Sequence, residues 1–519
     1  MSAETITYLS DIPRVHAQRR GNHVAVECEG RKLTYAQLDR RARQAAGLLA
    51  RAGVKPGDRI SWLGRSSEAF FEIFFGAALS RVCLAPINNR LAIPEIAFIL
   101  QDSGAELFFV TPTFFNAARM VVSQVDRPIR LIAVGAECEG FDSYEALRDA
   151  ATPPAFDPQD PGDDLLQLYT SGTTGLPKGV RLNNANYQSF LDLRTRVEGF
   201  DYGAEDTVLI VMPLFHVAGT NISFSGLAAG GRVIVLPEFS PAKVLELIGQ
   251  EGVAHVFLVP AMINMCLQAP EIAAADLSSL KSVAYGASPI GEAVLAKATE
   301  RFGCGFIQFY GMTESTGAGT FLKPADHVGE LLRSCGKPWP DMDVRILRDD
   351  GTEAETGEIG EIAIWGQMVM AGYWNREEAT AQTVTPDGWL KTGDAGFKNE
   401  DGFVFVHYRV KDMIVSGGEN IYPAEVENAI LGCPGVADAA VIGVPDEKWG
   451  EAVKAIVVAA PGAEPDPAEV IAWARQRIAG FKAPKSVDFI DALPRNASGK
   501  VLRRELRKPY WEGRTRNVG

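Results

Sequence analysis

The chain has 519 residues, 46% of them apolar and 22% charged, a globular balance in a length too great for one ordinary core. Its formal net charge of −14 argues against a nucleic-acid partner, because a phosphate backbone demands a basic face. No run approaches the roughly 18 uninterrupted apolar residues of a membrane span, and the opening "MSAETITYLSDIPRV" lacks the basic start and apolar core of a secretion signal.

In chain order, the first readable element is "VAVECEGRKLTY", a hairpin turning at Glu29-Gly30. Thr34 with Gln37 three residues on predicts a capping box. The helix it opens carries Leu38, Ala42, Ala45 and Leu49 on one face and stops at Gly53. "FFEIFFGAAL" (Phe70–Leu79) is the most apolar stretch, yet it is short and holds Glu72, so it reads as a buried helix. Short apolar runs then alternate with helical stretches: "TVLIVMP", "RVIVLP", "HVFLVP", "KSVAYG" and "GFIQFYG". That alternation is α/β with largely buried sheets. Beyond about Gly351 the texture turns to strands and glycine turns. After Arg409, the strands "VADAAVIGV" and "VKAIVVAA", a helix at "PAEVIAWARQRI" and a basic tail predict a small α+β domain. The seven cysteines are scattered without a C-x-x-C pair, as expected of reduced thiols in a cytoplasm.

The stretch "YTSGTTGLPKGV" (Tyr169–Val180) lies between an apolar strand and a segment that resumes extended, then helical. A strand opening into a glycine-rich turn lets backbone N–H groups converge on phosphate. It fits neither G-x-x-x-x-G-K-[S/T] nor G-x-G-x-x-G, since Lys178 follows a proline and Gly172 and Gly175 stand three apart. Taken alone it is a turn like many others. Four further stretches change that reading. "MPLFHVAG" presents His216, "YGMTES" presents Thr313 and Glu314, "GWLKTGD" presents Asp394 in a turn, and "LPRNASGKVLRREL" presents Lys500 on a turn. Each has a plain alternative as a packed histidine, a solvated carboxylate or a charged surface.

In this order, the motifs resemble those of the adenylate-forming superfamily of acyl-CoA synthetases, adenylation domains and beetle luciferases. The match runs through Tyr169–Gly179, Tyr310–Glu314, Thr392–Asp394, Arg409 with "KDMIVSGGENIYPAEVE", and Lys500 in "PRNASGK". Tyr408 departs from the Gly or Asp usual before the arginine. The resemblance spans essentially the whole chain. It implies an α/β fold with a large N-terminal domain of packed sheets plus a distorted barrel (residues 1–408) and a small mobile α+β domain (residues 409–519).

The resemblance implies an ATP-dependent acyl-CoA ligase that forms an acyl-adenylate and then the coenzyme A thioester, releasing AMP and pyrophosphate. Thr170, Ser171, Gly172, Thr173, Thr174, Gly175 and Lys178 would hold the triphosphate. Thr313 and Glu314 would hold Mg²⁺, a hard cation that prefers oxygen. Asp394 would accept from the ribose hydroxyls and Arg409 would support ribose and phosphate. Gly286, Ala287, Ser288, Gln308, Phe309, Tyr310, Gly311 and Met312 would line the adenylate site. The acyl pocket would take His216, Val217, Gly219, Tyr285, Gly286 and Gly311. Lys500 would bridge the carboxylate and the α-phosphate. Lys411 would be the pivot, and Ser416, Gly417 and Gly418 would admit pantetheine. His216, Thr313, Glu314 and Lys500 are thus the expected catalytic set.

The acid itself stays open between an aliphatic chain and a ring-bearing acid. "MPLFHVAGTNI" offers no acidic partner for an amino-acid ammonium, which favours a simple acid. The expected partners are the acid, ATP and coenzyme A, with neither nucleic acid nor a transmembrane segment, in a chain that could form a homodimer. The competing readings are an adenylating enzyme that loads another acceptor and a silent nucleotide-binding homologue.

Overall fold

A computed structural model describes residues 5–171, 177–288, 290–348, 350–409, 412, 414–416, 419–421, 423–446, 449–496 and 499–512. Its first element is the expected hairpin: Val24–Cys28 pairs antiparallel with Arg31–Thr34. Glu29 and Gly30 both turn through the left-handed region (φ 49° and 79°), the conformation whose twist suits a two-residue hairpin turn. The Thr34 side chain accepts from Gln37 N–H at 3.3 Å, and Gln37 Oε1 accepts from Thr34 N–H at 2.9 Å. That capping box opens the helix Tyr35–Arg51. The apolar run is the helix Glu68–Leu79, with Glu72 only 1% exposed. Burial there is tolerated because Arg41 and Arg148 (each 2.8 Å) and the Tyr144 hydroxyl (3.1 Å) donate to its carboxylate.

Among the described residues, four sheets organise the chain. In the nine-stranded sheet, Thr207–Ile210 lies between Arg232–Val235 and Val253–Leu258, parallel to both. Ser282–Gly286 and Gly305–Tyr310 continue the parallel run. The chain leaves Thr207–Ile210 toward Arg232–Val235 on one side and leaves the neighbouring Val253–Leu258 toward Ser282–Gly286 on the other, so the connections diverge at Thr207–Ile210. In open α/β sheets, the carboxyl edge of such a strand forms a crevice between diverging connections. An eight-stranded sheet carries the antiparallel hairpin of Asp164–Ser171 with Pro177–Asn183. Both large sheets contribute to one shared apolar core, and a second cluster packs the helices Ile93–Ser103 and Phe115–Val122 against the eight-stranded sheet.

The region expected as a distorted barrel is a four-stranded antiparallel sheet that includes Gly360–Trp365, Leu390–Lys398 and Val404–Arg409. A bridge between Gly336 and Val404 ties it to the nine-stranded sheet. The C-terminal segment is α+β as expected: Val436–Asp446 and Gly450–Ala459 pair antiparallel in a five-stranded sheet, with helices Pro423–Leu431 and Pro467–Arg475. The tail, read from sequence as polar and basic, contains a further helix, Arg503–Trp511. The apolar cores after Ile414 contain none of the residues that build the core before Val404.

Candidate functional site

The site is built at the carboxyl ends of the parallel strands. His216 follows Thr207–Ile210 and caps the helix Val217–Ala229, its Nδ1 accepting from Ala218 N–H at 3.2 Å. Burial drives its pKa down to about 4, so the imidazole is neutral at pH 7. With Nδ1 accepting, the ring proton resides on Nε2. His216 is thus a neutral donor at the crevice, not a cation. His16, His23, His255 and His327 are also held below the ordinary histidine range, chiefly by burial.

That pattern fixes a sign. As pH falls below about 6.5, unfolded imidazoles take up protons that the folded chain refuses, so stability is lost toward pH 4. Calorimetric melting between pH 7.5 and 5.0 should show Tm falling with pH. A flat profile would mean that these rings protonate freely in the folded chain.

Met212, Ala218, Ile222 and Phe257 pack together as an apolar wall at the end of the strand Thr207–Ile210. A wall of this kind suits hydrocarbon or a ring. Gly219, Gly286 and Gly311 answer a backbone demand as well. A Cβ at Gly219 would collide with the Pro213 carbonyl, one at Gly286 with the Phe309 carbonyl, and one at Gly311 would lie 2.6 Å from the Gly317 carbonyl oxygen. Val217 is buried and lies beside Gly317. Tyr285 corrects the expected pocket: it has no exposed surface, and its hydroxyl meets His327 Nε2 at 3.0 Å and Gln308 Oε1 at 3.3 Å. It belongs to the core. Ala287 follows that strand at φ 66°, exposed, with half-buried Ser288 next to it. Phe309 packs on Phe200 and Trp339.

After Gly305–Tyr310, Met312 leads into a short turn, Thr313–Ser315. Thr313 and Glu314 are both buried. Glu314 Oε1 accepts from the Tyr373 hydroxyl at 2.8 Å and from Thr170 Oγ1 at 3.3 Å. Thr170 pairs with Lys178 across the hairpin, and Lys178 Nζ lies 4.9 Å from the Tyr373 ring centroid. The carboxylate, a threonine hydroxyl and the lysine therefore meet at the root of the glycine-rich turn. Among the described residues no group of three or more His, Cys, Asp or Glu could enclose a metal. One carboxylate with its described hydrogen bonds confined to Oε1 fits a cation that takes its remaining ligands from phosphate and water.

Asp394 lies within the strand Leu390–Lys398, not in the expected turn. Gly393 before it, at φ 71°, gives the stretch its turn-like composition. The Tyr310 hydroxyl donates to Asp394 Oδ2 at 3.0 Å, and Asp394 pairs with Arg409 on the next strand. On the small domain, Gly499 turns at φ 79°, and Lys500 N–H donates to Asn496 Oδ1 at 2.9 Å. A Cβ on Gly499 would lie 2.8 Å from Val259 Cγ2, at the carboxyl end of Val253–Leu258. The Lys500 turn therefore rests against the same strand edge as the other site residues.

Gly499→Ala should weaken that docking, because it adds left-handed strain of about 1–2 kcal/mol to the clash. Adenylation should fall roughly tenfold or more. Unchanged adenylation would remove the docking from the mechanism.

Thr170, Lys178, Thr313, Glu314, Tyr310 and Asp394 are thus linked, with His216 and Lys500 on the same edge. Ser416 pairs with Gly450 in the small domain's sheet. Gly172, Thr173, Thr174, Gly175, Lys411, Gly417 and Gly418 lie outside the described residues, as do the side chains of Ser171 and Arg409. Tyr373 and Val259 were not anticipated, because their roles depend on contacts distant in sequence. A buried Asp206–His255–Ser282 chain (3.1 and 2.8 Å) resembles a hydrolytic triad, but it lies at the amino ends of the strands, and Ser282 is 2% exposed. It braces the sheet.

Residues 14–374 match the AMP-binding enzyme family and residues 425–500 its C-terminal domain. The chain belongs to the AMP-binding enzyme family. It is 41% identical to a fatty acid–[acyl-carrier-protein] ligase of Streptomyces coeruleorubidus, over 97% of this chain and 96% of that protein. It is 40% identical to a feruloyl-CoA synthase of Amycolatopsis sp, over 97% and 99%. The amide bond synthetase McbA from Marinactinospora thermotolerans superposes with a TM-score of 0.87 at 30% identity, over 97% of this chain and 100% of that one.

Proposed function

We infer that this member of the family is an AMP-forming acid–thiol ligase that joins a carboxylic acid to coenzyme A through an acyl-adenylate. The observation that carries the reading is the linkage of Thr170, Lys178, Glu314 and Asp394 at one strand edge, with the Lys500 turn against it. A carboxylate resists nucleophiles, so it must first become a mixed anhydride with AMP. That step crowds negative charge from the acid and the triphosphate, and fixed donors and cations must meet it. The glycine-rich hairpin and Lys178 would hold the β- and γ-phosphates. Glu314 with Thr313 would hold Mg²⁺, which supplies charge neutralisation on the phosphates. Asp394 would accept from the ribose hydroxyls, Arg409 would support the phosphate, and Lys500 would steady the attacking carboxylate. Neutral His216 would donate at the acyl end.

The small domain, residues 409–519, would then turn about Lys411 and let pantetheine enter past Ser416, Gly417 and Gly418. The apolar lining beside His216 favours a hydrocarbon or ring-bearing acid over an amino acid. Relatives named for carrier-protein and amide products make the acceptor the point to test. The seven free thiols fit a reducing cytoplasm, and among the described residues no helix is long and apolar enough to cross a membrane. The purified chain should be assayed with ATP, Mg²⁺ and aliphatic, aromatic and polycyclic acids, offering coenzyme A, a carrier protein or an amine. AMP, pyrophosphate and a coenzyme A thioester are expected. ADP and phosphate, or thioester on carrier protein alone, would overturn the reading.

A further inference from the structure

We propose that Tyr373 is the positioning residue that orients the Glu314 carboxylate toward the metal and links it to the phosphate-binding hairpin. The inference rests on Glu314 serving as the Mg²⁺ ligand. Tyr373 is 8% exposed and belongs to a short strap across the hairpin. Gly372 and Tyr373 pair with Arg181 and Val180, Ala371 N–H donates to the Arg181 carbonyl at 3.0 Å, and Trp374 N–H donates to the Gly179 carbonyl at 2.8 Å. Immediately before the strap, Met370 N–H donates to the Glu314 carbonyl at 2.8 Å. The backbone of residues 370–374 thereby grips both the hairpin strand that carries Lys178 and the turn that carries Glu314.

The side chain makes the same connection a second time. Its hydroxyl donates to Glu314 Oε1 at 2.8 Å, and its ring lies 4.9 Å from Lys178 Nζ. Thr170 donates to the same oxygen. With Oε1 claimed twice, the carboxylate is fixed about its terminal torsion, and Oε2, which no hydrogen bond among the described residues engages, is the oxygen that would meet a cation. The π-face beside Lys178 favours the ammonium position from which it would meet phosphate. Groups that hydrogen-bond a ligating carboxylate set its orientation, and removing them commonly lowers metal affinity about tenfold to a hundredfold.

Tyr373→Phe keeps the ring and removes only the hydroxyl, whereas Tyr373→Leu removes both. Mn²⁺ affinity should be read by electron paramagnetic resonance in the complex with α,β-methylene-ATP, beside analogue affinity in EDTA and Tm. Tyr373→Phe should weaken Mn²⁺ binding about tenfold to a hundredfold while leaving metal-free analogue affinity and Tm nearly unchanged. Tyr373→Leu should also weaken metal-free analogue binding. In a Glu314→Gln background, loss of the hydroxyl should add nothing to the Mn²⁺ defect. Unchanged Mn²⁺ affinity in Tyr373→Phe, beside a clear defect in Glu314→Gln, overturns the role of Tyr373 alone. An equal loss of metal-free binding in Tyr373→Phe would reduce the residue to packing. Unchanged Mn²⁺ affinity in Glu314→Gln removes the metal reading of Glu314 and this inference with it.

Discussion

Lys500→Ala should slow acyl-adenylate formation about a hundredfold to a thousandfold and leave thioester formation from a supplied acyl-adenylate largely intact. The first step develops charge on the transferred phosphate while the acid carries its own, and a lysine at that point offsets both. The second step releases AMP from an anhydride already formed, so the same charge is not needed there. The turn that carries Lys500 is closed by Asn496 on both sides: Asn496 Oδ1 accepts from Lys500 N–H at 2.9 Å, and Asn496 N–H donates to the Lys500 carbonyl at 2.8 Å. Alanine leaves those backbone bonds in place, so a lost half-reaction reflects the side chain and not a collapsed turn. Pyrophosphate release and thioester formation should be timed separately in single turnovers. Equal loss of both steps would favour one fixed site and discard rotation of the small domain about Lys411.

The second large effect is expected at Glu314. Glu314→Gln retains an oxygen able to accept from Tyr373 and Thr170, so Tm should barely move, while adenylation should drop by orders of magnitude as the anionic ligand is lost. Glu314→Ala should differ, because it leaves the buried Tyr373 hydroxyl without its acceptor, at a cost of about 1–3 kcal/mol. Calorimetry beside pyrophosphate release separates the two. A large drop in Tm for the glutamine variant would assign the carboxylate to a structural network.

Local signals carried much of this architecture in the sequence. The Glu29-Gly30 turn and the Thr34–Gln37 capping box depend only on neighbours, and both are present as expected. The ordered motifs likewise led to the residues that meet at the strand edge. Asp394 was misread because Thr392-Gly393 has the composition of a turn, whereas the strand absorbs Gly393 at positive φ and shifts register just beyond it. Tyr285 was misplaced because its neighbour Gly286 lies against the strand carrying Phe309, while Tyr285 points into the core beside His327. Tyr373 and Val259 left no local signal. Their partners lie on other elements, and only the packed chain brings them together.

The hairpin at the start of the chain bears on how the protein is made. Val26 pairs with Val233, so the strand Val24–Cys28 finds its parallel partner only when Arg232–Val235 exists. During synthesis that early hairpin leaves the ribosome with one side unmatched and stays so while roughly two hundred further residues are added, which takes about 10–40 s at ordinary translation speeds. Contacts so remote in sequence close late, because the loop entropy must be met before the pairing can reward it. Chains truncated before residue 232 should therefore associate with one another or with holdase chaperones, and the released full-length chain should regain solubility as the sheet closes over that edge.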